Sequence, residues 1–511
     1  MLLQRWFVFA VALAAVPFLA SCAVGPDFHV PAAPDVDRYT AEPTATHTSA
    51  TDVAQGQAQR FLKDRDIPAE WWTLFRSPAL DALVRQALDA NPNLQSALAS
   101  LRAARETVYA QKGKYFPLVQ ANYSPSRQES PSAIAPVLNS GDNPFNLFTA
   151  QLMVSYTFDV WGLNRRTVES LEALEDAQRF QVEAGYLTLT SNVVVAAIQE
   201  ASLRAQIEAT YELIAINRKL LDLLHKQLDA GYASRSDVAA QEAALAQIEV
   251  TLPPLRKQLA VQRDLLAALA GRYPSEGPRQ TFRLAALRLP VAMPLSVPAK
   301  LVEQRPDVRF AEEQLHSASA QIGVATANML PNLTVSASRG YTATDMASLI
   351  SGPSIFWSVA GNATQTLFDG FTLLHQRRAA VAAYQQAAWA YRGAVVGALQ
   401  NVADALRTVQ NDADALRAAR DFERAARISL DLAQQQFAAG NVNFIVLLNA
   451  QQAYQQALLG LVQAQTNRLA DTAALFQALG GGWWNRAGPA ATELKLDVAT
   501  GQAQPIAAKH D

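Results

Sequence analysis

The chain has 511 residues; half are hydrophobic, only 17% are charged, and the formal net charge is −2. In a typical soluble domain about a quarter of the residues are charged, so this fraction is low. With a net charge close to zero, the chain has no electrostatic basis for binding nucleic acid. No stretch of 18 consecutive apolar residues follows residue 22, so no transmembrane helix is expected in the mature chain.

The N-terminus is typical of an exported bacterial lipoprotein. Arg5 precedes an apolar run, Trp6 to Ala20, which is long enough for a signal peptide and too short for a good membrane span. The sequence then reads Ser-Cys at Cys22, which resembles a lipobox and predicts that Cys22 carries the lipid. It is the only cysteine, so no disulfide within the chain is expected. An ordinary cleaved signal is the alternative; Ala23 favours the outer membrane.

Two tandem copies of one unit make up most of the chain. Short matches recur at a nearly constant offset of about 210 residues, and so many matches at one offset indicate a duplication. The matched pairs are Asn91–Leu94 with Arg305–Val308, Phe116-Pro117 with Leu330-Pro331, Phe158-Asp159 with Phe368-Asp369, and Gln227–Gly231 with Gln436–Gly440.

Each unit is predicted to contain a helix, two strands, a very long helix and a last helix. A helix over 80–115 stops at Pro117, because proline cannot continue the hydrogen-bond ladder. Apolar and polar residues then alternate, which predicts half-buried strands at about 118–128, 147–158, 332–341 and 355–367. Strands of this length can cross a bilayer when tilted. Strand–helix junctions are expected at Pro117, Asp159, Gly162, Pro331, Asp369 and Gly370.

The long helices are predicted over about 164–230 and 371–439. At about 1.5 Å per residue each spans roughly 100 Å, which no compact domain houses, so a coiled-coil arrangement is expected. Apolar residues spaced by three and four support this, for example from Tyr391 to Val409. The helix that follows the first of them, over about 236–270, is expected to bend at Pro253-Pro254.

These patterns predict the following organisation along the chain. Domain boundaries are placed at 1–21 (signal peptide), 22–79 (lipid-anchored segment and equatorial belt), 80–271 (first repeat), 272–298 (inter-repeat equatorial segment), 299–480 (second repeat) and 481–511 (C-terminal belt segment and polar tail).

Four strands cannot close a barrel, and open strand edges are not tolerated in lipid. Single-chain outer-membrane barrels need at least eight strands, so the chain must oligomerise within the membrane. Two copies supply eight strands and three supply twelve, and the arithmetic alone does not choose between them.

The chain resembles the TolC-like outer-membrane efflux protein family, in its NodT-type (OprM-like) outer-membrane factor lipoprotein branch. The resemblance spans nearly all of the mature chain and is carried by Cys22–Asp27, Trp71–Phe75, Phe158–Gly162, Arg305–Val308, Gln321–Ala325 and Leu367–Gly370. It implies a mainly α-helical fold with transmembrane β-strands. In the implied homotrimer, a 12-stranded β-barrel continues into a 12-helix α-barrel in the periplasm. It further implies outer-membrane lipid, a periplasmic adaptor (membrane fusion) protein and a proton-driven inner-membrane pump as partners.

The turns that end the long helices are the candidate tips of the channel. Both turn glycines are expected in a left-handed conformation. A plain hairpin turn is one interpretation; the resemblance implies a closed periplasmic entrance and an adaptor contact. The candidate tip residues are Gly231, Arg235, Asp237, Gly440, Ile445, Val446, Leu448 and Asn449.

The tip departs from the family pattern in its charges. Asp237 matches a family aspartate near the constriction, whereas Val446 and Asn449 stand where acids are usual. This departure argues against an acidic cation-binding ring. We therefore expect apolar packing to hold the entrance shut, with Asp237 and Arg235 pairing near it.

The remaining polar and aromatic residues give no sign of an enzyme, a metal or a cofactor. The six histidines lack zinc-ligand spacing, and no nucleophile elbow or phosphate-binding loop occurs. Glu312-Glu313 is expected on a solvated helix face. The tryptophan pairs at 71–72 and 483–484 are expected to pack in the belt. An aromatic ring at the membrane interface is a further possibility for Trp357 and Tyr123.

Three functions are compatible with the sequence. The sequence favours a passive exit duct for small molecules, such as drugs, across periplasm and outer membrane. A duct for type I protein secretion would share the architecture, and a structural coiled-coil lipoprotein would have no pore.

Overall fold

A computed structural model describes residues 23–43, 45–63, 65–129 and 144–486, and the backbone of 494–496 and 503–505. The predicted signal peptide and Cys22 lie outside the described residues.

Helices dominate the described part of the chain. They are α1 (Pro78–Ala90), α2 (Pro92–Lys112), α3 (Leu163–Asp229), α4 (Arg235–Glu249), α5 (Leu252–Leu269), α6 (Pro298–Gln304), α7 (Pro306–Ala327), α8 (Thr372–Ala438) and α9 (Phe444–Ala478). The long helices α3 and α8 each contain 67 residues, close to the predicted bounds. None of the described helices is long and apolar enough to cross a membrane.

The strands are shorter and fewer. They are β1 (Arg60–Lys63), β2 (Leu118–Gln128), β3 (Phe145–Phe158), β4 (Ala292–Leu295), β5 (Asn332–Ala343), β6 (Ile355–Thr364), β7 (Leu494–Leu496) and β8 (Ala503–Pro505). The four strands predicted for the two tandem sequence repeats correspond to β2, β3, β5 and β6. β6 ends three residues before the predicted bound of 367.

Two predicted helices are interrupted. The helix expected over 80–115 is two helices, because the Asn91 side chain accepts the N–H groups of Asn93 and Leu94 and caps α2. The bend expected at Pro253-Pro254 lies instead just before these prolines, between α4 and α5. Proline is tolerated in the first turn of a helix, where its missing N–H is not needed, so the pair opens α5.

β2, β3, β5 and β6 form one antiparallel sheet in the order β2-β3-β5-β6. Phe158 pairs with Leu333 across the central β3–β5 ladder, and Leu152 pairs with Arg339. β2 and β6 are the two edges, and every residue of β2 is exposed. The chain by itself therefore presents two unpaired strand edges.

The chain divides into two units. The first comprises Met1–Pro31, Arg102–Ala177 and Ala311–Tyr391 and contains the four-stranded sheet. The second comprises Ala32–Leu101, Gln178–Phe310 and Arg392–Asp511. Within the second unit, β1 pairs in parallel with β4, and Trp71 stacks on Phe476 with ring centroids 5.4 Å apart. Two of the three segments predicted to form a belt supply these features: 22–79 contains β1 and the buried Trp71, and 272–298 contains β4.

Candidate functional site

Each predicted strand–helix junction lies between a strand and a helix. Asp159 follows β3, and its carboxylate accepts the N–H groups of Asn164 and Arg165 at 2.8 and 2.9 Å. The carboxylate thereby satisfies two of the unpaired donors at the start of α3 and favours the positive end of the helix dipole. Asp369 does the same for α8 through the N–H of Leu373 at 2.8 Å.

Glycine conformations complete these junctions. Gly162 and Gly370 adopt φ values of +78° and +66°, in the left-handed region that disfavours side chains. Pro117 and Pro331, just before β2 and β5, lie at the same end of the sheet as these glycines. The Trp161 indole N–H donates to the Pro331 carbonyl at 2.8 Å. This bond joins the segment that follows β3 to the segment that precedes β5.

The residues after Cys22 are held against the first junction, a contact that the sequence did not reveal. The Val24 N–H donates to the Trp161 carbonyl at 3.0 Å, and Arg166 donates to Asp27 at 2.8 Å. Gly25 packs so closely on Gly323 that a Cβ on Gly25 would lie 2.4 Å from the Gly323 Cα. From Ala23 onward the chain is thus fixed beside the junction end of the sheet. The resemblance motifs marked these glycines, but nothing local to them identified the partner.

A histidine lies under the same segment. The His316 ring is stacked on Phe28 at 4.4 Å, and its two nitrogens lie 3.3 Å from carboxylate oxygens of Glu313 and Glu169. The hydrogen bond with Glu313 raises the pKa of His316 against the opposing effect of partial burial. The solvated face predicted for Glu312 and Glu313 is wrong, because both are buried. Their helix packs inward here, which the local sequence pattern could not show.

The two tip turns share one geometry. Gly231 and Gly440 have φ values of +78° and +75°, in the predicted left-handed conformation. The next residue donates its N–H back to the helix in each turn: Tyr232 to the Gln227 carbonyl and Asn441 to the Gln436 carbonyl. These bonds form a Schellman motif, which ends α3 and α8 and reverses the chain.

The tips differ in how the next helix begins. Ser234 and Asp237 form a capping box at α4: Ser234 Oγ accepts the Asp237 N–H, and the Asp237 carboxylate accepts the Ser234 N–H at 3.0 Å. Among the described residues, Asp237 makes no ion pair with Arg235, so the expected pairing is corrected. The carboxylate is already occupied by its own helix end. At α9 only Asn443 caps, since Val446 has no carboxylate to return the bond.

Apolar residues after Gly440 divide between the inside of the hairpin and its surface. Phe444 and Leu447 are buried in the core between the hairpin helices, and Leu448 packs partly against it. Ile445 and Val446 are 62% and 45% exposed. These two side chains, with the exposed Asn449, are the ones available to a second molecule.

A carboxyl pair lies outside the predicted sites, in the second unit. Asp412 on α8 faces Asp471 on α9, close to the fully buried Arg468. Burial, the hydrogen bond with Asp471 and its negative charge raise the pKa of Asp412 to about 7, although Arg468 opposes the shift. The Asp412 carboxyl therefore keeps its proton to a higher pH than an ordinary aspartate does.

This pair predicts a pH-dependent stability. A raised pKa means that the native state holds the proton while the unfolded chain has lost it, so stability falls as pH rises from about 4 through 7. We expect Asp412→Asn to match the parent protein in thermal midpoint at about pH 3.5, where the carboxyl is protonated in both states, and to exceed it at pH 8.5. Circular dichroism melting at both pH values measures this. Asp421→Asn, at an exposed position of the same helix, is the matched control; a gain at pH 8.5 in both variants would contradict the assignment.

No group of three or more metal-ligating side chains occurs in the parts of the chain that the structure describes. The features that the two sequence repeats have in common are an edge strand, a capped strand–helix junction and a hairpin tip.

The family model described as "Outer membrane efflux protein" matches residues 83–272 and 297–481. The chain belongs to the outer membrane efflux protein family. This confirms the resemblance inferred from the motifs, and with it the outer-membrane location and the link to efflux.

Curated and solved relatives agree with this assignment. Pyoverdine export outer membrane protein OpmQ of Pseudomonas putida is 28% identical over 447 residues, covering 86% of this chain and 94% of the relative. Probable efflux pump outer membrane protein TtgC of the same species is 26% identical over 94% of this chain and 97% of its own. The outer-membrane channel OprN has a TM-score of 0.81 at 26% identity, covering 90% of this chain and all of that one. These members of the family are outer-membrane channel and efflux proteins, not enzymes.

Proposed function

We propose that this chain is the passive outer-membrane exit duct of a tripartite efflux system for small molecules. A periplasmic adaptor and a proton-driven inner-membrane pump would supply the energy. The relatives named for pyoverdine export, toluene efflux and antibiotic efflux support small-molecule cargo. A duct for protein secretion is the alternative that the same architecture allows.

The open sheet carries the proposal. Strand edges cannot remain unpaired in lipid, because each free N–H and C=O group there costs several kcal/mol. β2 and β6 are the edges, so β6 of one copy pairs with β2 of the next. Three copies then close twelve strands into one barrel, the number implied by the family resemblance.

The faces of the sheet fit a barrel wall. One face carries Val154, Ala337 and Val359 in one row across β3, β5 and β6. On the other face, Ser338 and Ser358 hydrogen-bond at 2.8 Å and Thr149 and Thr342 at 3.2 Å. An apolar band outside and a polar surface inside are what a water-filled barrel in lipid requires.

The tips are proposed as the periplasmic entrance. Ile445 and Val446 are exposed in the single chain, so three copies around an axis would bring them together. Their mutual burial would close the entrance by apolar contact, and the adaptor would act on the same turns to open it.

Native mass spectrometry of the detergent-extracted protein tests the assembly. The proposal predicts three copies and no stable folded monomer. A folded monomer or dimer as the main species would overturn it. Cargo is tested separately: deleting the gene should raise the sensitivity of the cell to small toxic compounds while leaving its secreted proteins unchanged. The opposite pattern would favour the protein-secretion duct.

We also predict that Cys22 carries the lipid and begins the mature chain, since the lipobox-like sequence ends there. Intact-mass measurement of the membrane-extracted protein should show a chain starting at residue 22 with added acyl groups. Cys22→Ser should remove the acyl mass and leave channel formation intact, because the strands themselves insert. An unmodified mature mass would rule out the anchor.

A further inference from the structure

The apolar face of the sheet is bounded by aromatic side chains at both ends. At the junction end, Tyr156 and Phe158 lie edge to face with ring centroids 5.1 Å apart. Towards the loop end, Trp357 is 73% exposed and Tyr123 is 53% exposed, and Tyr341 pairs with Ala150 beside Tyr123. Two aromatic girdles around an apolar band mark the two interfaces of a membrane barrel.

Arg339 on β5 interrupts this face. It pairs with Leu152 on one side and Trp357 on the other, so its side chain emerges on the same face as theirs. It is exposed, and two surface grooves with apolar walls meet at it, one towards Val154 and Val359 and one towards Tyr123 and Tyr341. A cation on a lipid-facing surface is costly unless it reaches an interface or an anion.

The position along the strand places Arg339 nearer the outer interface. It is the sixth residue after Leu333, which pairs with Phe158 of the junction-end girdle, and β5 ends four residues later at Ala343. At a rise of about 3.4 Å per residue and a tilt of about 40°, it lies about 16 Å above that girdle in an apolar band about 25 Å tall. A long arginine side chain can extend from this depth to the headgroups.

No carboxylate of the sheet neutralises this charge. Strands β2, β3, β5 and β6 contain no Asp or Glu. Within the described residues, the Arg339 guanidinium has neither an ion pair nor a hydrogen bond. Strand β2 of a neighbouring copy would bring only Val119, Ala121, Tyr123, Pro125 and Arg127 to this face, so it supplies no acid either. The described acids that follow these strands, Glu129 and Asp345, lie beyond the ends of β2 and β5, so the strands themselves offer Arg339 no anion.

We propose that Arg339, with Trp357 and Tyr341, forms a binding site for the phosphate of an outer-leaflet lipid, such as the phosphorylated glucosamine of lipid A. This inference rests on the proposed function, because it takes the apolar face to be the lipid face. The guanidinium fork matches two phosphate oxygens, and aromatic rings at headgroup level flank it. The groove beside Val154 and Val359 accommodates an acyl chain of the same lipid.

Native mass spectrometry of the detergent-purified protein with added bisphosphorylated lipid A tests the site. We expect bound lipid on the parent protein and a matching rise in its thermal midpoint. Arg339→Leu should lose both effects. Arg339→Lys should retain weaker binding, because lysine keeps the charge but not the fork. Arg127→Leu is the matched control, since Arg127 lies on the same face at the loop end of β2 and should keep the binding.

Three further measurements show whether the bound phosphate belongs to a lipid, and whether a negative result rejects this inference or the proposed function. Inorganic phosphate at millimolar concentration should not displace the lipid, and dephosphorylated lipid A should not bind. Equal lipid binding by the parent protein and Arg339→Leu, or equal loss in Arg127→Leu, would overturn the assignment. Conductance is recorded in parallel: channels without lipid preference reject this inference alone, whereas absence of channels from the parent protein rejects the proposed function.

Discussion

Val154→Arg should destabilise the membrane-inserted protein by about 2–4 kcal/mol, whereas Ser155→Arg should be tolerated far better. Val154 lies in the row between the two aromatic girdles, opposite Val119 and Ala337. An arginine there meets hydrocarbon at mid-depth and has no interface within reach. Ser155, one residue along, lies opposite Ser336 on the polar face, where water would solvate the same charge.

Denaturant-dependent folding into phosphatidylcholine vesicles measures the difference between these variants. Each adds the same arginine at adjacent positions of β3, so the added charge and length are the same in both variants. Equal losses would show that the two faces are wrongly assigned. Leu152→Arg is a less direct test, because Leu152 pairs with Arg339 and a second arginine adds like-charge repulsion.

Asn449→Asp should convert the tip into a strong binding site for multivalent cations. Asn449 is exposed on α9, beside the exposed Ile445 and Val446, and three copies would place three carboxylates around the axis. One ion pair at about 4 Å is worth about 1 kcal/mol even in bulk water, and a trivalent cation would meet three. We expect block of the channel by a trivalent cation to strengthen by at least about tenfold, against weak block of the parent protein.

Single-channel recording with the cation on the periplasmic side measures this block. Gln247→Glu, an exposed position on α4, adds the same charge away from the second tip turn and should change little. Ile445→Ser should raise the resting conductance, because it removes apolar contacts that close the entrance. Ile445 is 62% exposed in the single chain, so this change acts on the assembly and leaves the chain's own core intact. Strong block of the parent protein would mean that the tip works in another way.

Periodicity explains which parts of the fold were predictable. Strict alternation along β3 and uninterrupted apolar spacing along α3 and α8 placed these elements within two residues of their bounds. Local turn chemistry did the same for Gly231 and Gly440, since only a left-handed residue ends a helix in this way. The break before Pro253 was misplaced because a proline pair can open a helix as well as bend one.

Competing contacts explain what was missed. The burial of Glu313 depends on its pairing with His316 and on the segment around Phe28, which is distant in sequence. Asp237 was expected to pair with Arg235, but its carboxylate is used by the capping box with Ser234. The Ser234–Asp237 spacing is that of a capping box and was readable in the sequence, whereas the packing of the Phe28 segment against His316 was not.

The most direct test of the account is the conductance of the purified assembly in planar bilayers. A closed barrel with a narrow, apolar entrance predicts discrete single-channel steps of low resting conductance, which Ile445→Ser increases. Assembled trimers that insert into the bilayer and pass no current, with or without Ile445→Ser, would contradict the proposal that this chain forms an exit duct.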